Sequence, residues 1–194
     1  MSLDDARLFT LPPQEEPYEG DLPSQGAAFQ ARASAEGADY KWIAFEFLEL
    51  AGAKVERIHH FASIPVDAIV TGSNGRRFLV AAHGTIDDHA QSGLRRVETV
   101  HKAGHRAFLL PEDAPPLIVL TSHLPRAGTQ PAIYLARSAT RIFDVIATKG
   151  DLRGFTRLQT YLSQEPPLEV PLEGAWRVLA QQGDLLEEGG SDDA

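Results

Sequence analysis

Apolar positions recur along this chain with two different spacings, and the spacings divide it into helices and strands. Trp42, Ile43, Phe45, Phe47, Leu48 and Leu50 give a broad apolar face, Asp39 can cap it and Gly52 can stop it, so a helix is predicted over Ala38–Leu50. Val55–Phe61 reads as a strand that includes His59 and His60. Val66–Gly72 and Arg77–His83 are two short β-rich runs around Ser73-Asn74-Gly75, a hairpin signal. Gln91–Ala103 is predicted helical, with Leu94, Val97 and Val100 on one side and Gly104 at its end. Strands are predicted at Ala107–Leu110, Leu117–Thr121 and Ile142–Thr148, and a helix at Asp151–Leu162. Leu117–Thr121 is almost unbroken apolar sequence and suits a central strand. No repeat of fixed period interrupts this order. Helix, three strands, helix and then further strands and helices make an α/β sandwich around a mixed sheet.

Composition narrows the function classes. The 194 residues are 43% hydrophobic, enough for one core domain, and include no cysteine, which excludes disulfides, thiolate zinc sites and cysteine nucleophiles. No apolar run reaches the roughly 20 residues of a membrane span, and residues 1–10 lack a signal-peptide pattern. A cytoplasmic protein without membrane contact is the expectation. The formal net charge of -9 argues at first against nucleic acid. Its distribution removes that argument. Residues 1–24 sum to -5 and residues 164–194 to -7, both in Pro-containing stretches, whereas residues 25–163 sum to +3. The expected organisation is therefore an acidic N-terminal arm (1–24), a core domain (25–163) and an acidic C-terminal arm (164–194), with a short helix at 175–182.

Several chemistries find no motif. A Gly-x-Gly-x-x-Gly turn, a Walker loop and a Gly-x-Ser-x-Gly elbow are all absent. His59, His60, His83 and His89 lack the i, i+4 pairing of a helical zinc site. Asp87-Asp88-His89 follows a strand and has metal-ligand residue types but reads equally as a loop before a helix, and Ser122-His123 reads as a polar break after a buried strand. The hairpin carries more. If its turn has odd length, Asp67 lies opposite Ala81 and shares a face with His83; an even turn sets them on opposite faces. Glu46 on the preceding helix can approach the same edge if that helix packs across the hairpin.

These pieces resemble the PD-(D/E)XK nucleases, whose restriction-endonuclease-like fold places a Glu-bearing helix before a hairpin. The hairpin of that family carries Pro-x-Asp on one strand and Asp/Glu-x-Lys on the next, followed by a helix with basic and Gln residues. Here the corresponding stretches are Phe45-Glu46-Phe47, Pro65-Val66-Asp67, Leu79-Val80-Ala81-Ala82-His83-Gly84, and a helix offering Gln91, Arg95, Arg96, Thr99 and Lys102. The resemblance covers residues 38–121. It implies a metal site for Mg2+ at Asp67 and Glu46, His83 in the position of the lysine, and phosphate contacts from Gln91, Arg95, Arg96 and Lys102. The second acidic position is occupied by Ala81, which cannot ligate a metal.

Three readings follow. In the first, the core is a nucleic-acid-associated protein with a degenerate phosphodiesterase site, DNA being favoured over RNA. The second is an active variant nuclease, with Asp67 and Glu46 on Mg2+ and His83 as general base. In the third, a non-enzymatic structural or assembly protein contacts protein partners through its acidic arms; a homodimer is a further expectation.

Overall fold

The computed structural model describes residues 25–86, 93–138 and 141–164. The N-terminal arm, the C-terminal arm from residue 165 on with its segment 175–182, Gln91, and Asp87, Asp88 and His89 lie outside the described residues. The chain divides into a unit of residues 1–35 and a unit of residues 36–194, and the sheet belongs to the second.

Helix α1 spans Gln25–Leu50, extending well upstream of the predicted start. It is followed by β1 (Lys54–Arg57), β2 (His60–Phe61), β3 (Ile64–Pro65), β4 (Ala68–Thr71) and β5 (Arg77–His83). A 3-10 turn over Gly93–Arg95 leads into α2 (Val97–Leu109), then β6 (Leu117–Thr121), α3 (Gln130–Ser138), β7 (Ile142–Ala147) and α4 (Leu152–Ser163). Strands β1, β4, β5, β6 and β7 lie side by side in that order. The first three are antiparallel, and β5, β6 and β7 are parallel. The α/β sandwich with a mixed central sheet is therefore what the chain forms.

Strand alternation builds two cores. Val70, Phe78, Val80, Ile118, Leu120 and Ile146 point to one face, where Tyr40, Ala44 and Leu48 of α1 and Leu158 and Leu162 of α4 cover them. Leu79, Ala81, Leu117, Val119 and Val145 point to the other face, against Val100, Ala103 and Ala107 of α2 and Leu135 of α3. Each strand thus feeds alternate side chains to opposite layers, as a sheet covered on both sides requires.

The hairpin signal around Ser73-Asn74-Gly75 is realised. Thr71 pairs with Arg77, the Gly72 N–H donates to the Arg76 carbonyl at 2.9 Å, and Gly75 takes φ +75°. Three residues are left in the turn, so its length is odd. Asn74 Nδ2 also donates to the carbonyls of Tyr161 (3.0 Å) and Gln164 (2.6 Å), tying the turn to the end of α4.

Two expected elements take other forms. Ala107–Leu110 is not a strand: residues 107–109 are the last of α2. Val100, Ala103 and Ala107 continue one apolar stripe at helical spacing, and Gly104 is buried within it instead of ending it. The predicted strand Val55–Phe61 breaks after Arg57 and resumes at His60, where β2 and β3 form a two-residue-turn tip. Ala62 and Ser63 in that tip both take positive φ (48° and 67°), as a tight hairpin demands, though neither is glycine.

Candidate functional site

The sheet ends at a position where β4 is shorter than β5. Register ends at the Ala68–Val80 pair, one residue short of Asp67, and alternation is interrupted there, because Val66 and Ile69, three residues apart, pack in the same core. The Asp67 backbone N–H still donates to Val80 O at 2.8 Å. Its side chain then takes over where the ladder stops, with Oδ2 accepting the Ala82 N–H at 2.8 Å. Burial leaves the Asp67 side chain 11% exposed, and its other oxygen, Oδ1, meets Lys41 Nζ at 2.7 Å. Lys41 lies on α1, next to Tyr40, whose ring is fully buried under the sheet.

His83 ends β5, and its Nε2 lies 3.3 Å from a guanidinium nitrogen of Arg106 on α2. A guanidinium can only donate, so Nε2 accepts and the neutral ring carries its proton on Nδ1. Burial, first of all, lowers the His83 pKa to about 4; Arg106, Lys41 and Lys102 push the same way, and Asp67 opposes them. Lys102 precedes Arg106 by four residues, one turn of the same helix. Helices on opposite faces of the sheet thus bring three cations to one sheet end, around one carboxylate and one neutral imidazole.

Of the residues singled out from the sequence, Asp67, His83 and Lys102 come together. Glu46 does not join them. It follows Lys41 by five residues, about 7.5 Å further along α1 and roughly 140° around it, toward the end of the helix that leads into β1. Arg95 sits in the 3-10 turn with its Nε buried and without a hydrogen-bond partner, and Arg96 is exposed at the start of α2. Lys41 and Arg106 complete the cluster and were not anticipated.

The donor set does not fit Mg2+. A hard divalent cation takes oxygen ligands, usually with more than one carboxylate. Asp67 offers one carboxylate whose oxygens already accept from an ammonium and an amide, and Ala81, at the second acidic position of the resembled motif, offers only a methyl group. Among the described residues no group of three His, Asp or Glu side chains could hold a metal ion. His83 is equally unsuited to take a proton near neutral pH, because its lone pair faces Arg106. The arrangement is suited to an anion.

Other polar clusters have structural partners. Ser122 is fully buried; its Oγ accepts the Thr85 N–H at 3.3 Å and lies 3.0 Å from His123 Nδ1. Thr121 Oγ1 accepts the Leu94 N–H at 3.1 Å and donates to His123 O at 3.0 Å, so this segment fastens the 3-10 turn to the end of β6. Asp144 on β7 is also fully buried, with Arg157, Tyr161 and the Val145 N–H as donors.

An α/β sandwich with a cationic cluster at one end of a mixed sheet is the class these observations define. No family model, no curated protein and no solved structure matches the chain. No described helix is long and apolar enough to cross a membrane.

Proposed function

We propose that this protein binds nucleic acid without cleaving it, on a scaffold that resembles the PD-(D/E)XK nucleases and has lost their metal chemistry. The observation that carries the reading is the Lys41–Asp67 ion pair, 2.7 Å long, at the hairpin position where the resemblance puts a metal ligand. The order of elements agrees with it: a helix, an antiparallel three-strand meander, a helix and a parallel strand. Phosphodiester hydrolysis needs a polarised water and a cation that neutralises developing charge. Here the carboxylate is neutralised by a lysine, and the histidine at the lysine position of the resembled motif is a weak base. Lys41, Lys102 and Arg106 remain as contacts for the phosphates of a strand, which are the usual source of affinity for nucleic acid. The positive balance of residues 25–163 supports this despite the overall charge of -9.

Fluorescence anisotropy with labelled single-stranded and duplex DNA and RNA, over a salt series, tests the reading. Binding should weaken steeply with salt, because each phosphate contact releases counterions. The same oligonucleotides incubated with Mg2+ or Mn2+ should stay intact. Metal-dependent cutting that disappears in Asp67→Ala would replace this reading with that of an active nuclease.

A further inference from the structure

The cationic cluster is concentrated at one point, and that concentration says what kind of phosphate it suits. Lys41, Lys102 and Arg106 contribute three positive charges and Asp67 one negative charge. His83 adds none at neutral pH, since its Nε2 accepts from Arg106. The balance at the sheet end is therefore two positive charges. A bridging phosphodiester carries one negative charge, whereas a phosphate monoester carries close to two above its second pKa of about 6.

Donor supply points the same way. An ammonium has three N–H donors; Lys41 gives one to Asp67 and its side chain is 47% exposed, which leaves donors facing water. Arg106 gives one N–H to His83 and has a fork of further donors suited to phosphate oxygens. Because α1 and α2 cover opposite faces of the sheet, these donors approach the sheet end from two sides. That geometry surrounds one group.

A passing strand needs a row of cations instead. Helix α2 does not provide one: Arg96, six residues before Lys102, lies roughly 120° around the helix from it. Asp67, held in place by the Ala82 N–H, fixes the Lys41 ammonium at the cluster instead of letting it swing along the surface.

Resting on the nucleic-acid reading above, the structure assigns to Lys41, Lys102 and Arg106 a site for the terminal phosphate monoester of a strand. The strand end, 5′ or 3′, is what the experiment separates. Three labelled oligonucleotides of one sequence, carrying a 5′-phosphate, a 3′-phosphate or two hydroxyl ends, are titrated with the full chain at pH 7.5 in EDTA. One phosphorylated end should bind about tenfold more tightly than the hydroxyl-ended strand, the effect of the nearly two charges that a monoester adds at a largely screened site. Lys41→Gln and Arg106→Gln should each remove that preference while keeping the far-UV circular dichroism of the parent. Arg77→Gln, six residues and about 20 Å of strand from His83, should keep it. Equal affinity for all three oligonucleotides would overturn the end-specific site and leave nucleic-acid binding standing. Absence of binding to every oligonucleotide would overturn both.

Discussion

The Tyr40 ring lies so close to Gly84 that a Cβ at position 84 would come within 2.7 Å of three of its carbons. This contact sets α1 against the strand that ends in His83. Tyr40 is followed directly by Lys41, so the same packing determines where the ammonium meets Asp67. The Tyr40 hydroxyl, 3.2 Å from Thr148 Oγ1, fixes the same end of the ring to the residue that follows β7. Burial raises the Tyr40 pKa well above its ordinary value, so the phenol stays protonated at all working pH values.

Gly84→Ala should therefore destabilise the fold by about 1–3 kcal/mol, the usual cost of forcing atoms into a packed site. Thermal unfolding should fall by several degrees for a chain of this size, roughly 2–4 °C per kcal/mol. A melting temperature equal to the parent's would mean that the ring moves aside freely and does not fix α1.

Asp144 provides a second prediction. Its side chain is 0% exposed and accepts from Arg157 Nε at 2.9 Å, Tyr161 Oη at 3.0 Å and the Val145 N–H at 2.8 Å. Asp144→Ala would leave the mostly buried Arg157 guanidinium and two neutral donors without their acceptor. A loss of about 3–5 kcal/mol in urea unfolding is expected, since removing one partner strands the other charge. Replacing Asp144 and Arg157 together by apolar residues should cost much less. Equal losses in the single and double variants would contradict this account.

Acid should weaken the fold through His83. Its folded pKa of about 4 lies below the ordinary 6.5, so the unfolded chain binds the proton first as pH falls. The stability contribution is whole above pH 6.5, declines between pH 6.5 and 4, and is fully lost below 4. Its size is at most about 3 kcal/mol, because the residue keeps some contact with water. His83→Gln, which retains an acceptor for Arg106, should show a flatter decline across that window. Urea midpoints measured at pH 7.5 and 5 for both proteins make the comparison; parallel declines would exclude His83 as the titrating group.

Asn74 links the hairpin turn to α4 through two amide donations, at 3.0 and 2.6 Å. Asn74→Ala should lose about 1–3 kcal/mol, read from chemical denaturation, with the turn itself still specified by Gly75. A change near zero would show that water replaces the amide on both carbonyls.

How far the sequence revealed the site depended on which interactions were local. That Asp67 lies near the end of β5 follows from the hairpin signal of Ser73-Asn74-Gly75, whereas its side-chain partners do not, because alternation is interrupted between Val66 and Ile69. Lys41 was hidden because α1 has apolar residues around much of its circumference, so spacing does not say which polar residue reaches the hairpin. That ambiguity also made Glu46 look well placed. Arg106 was hidden by a misplaced helix end: Gly104 read as a stop, which detached Arg106 from Lys102 although the two are four residues apart. The stripe of Val100, Ala103 and Ala107 was the available signal, and tertiary packing of small residues outweighed the glycine's helix-breaking tendency.

Lys41 and Arg106 belong to helices that never touch the same face of the sheet. A phosphate held by both would be a brace across all three layers, and its binding energy would add directly to the stability of the sandwich. Loosening either helix layer would then remove one side of the hold on the ligand. If the proposed site holds a phosphate, its occupancy would report whether both helix layers are in place.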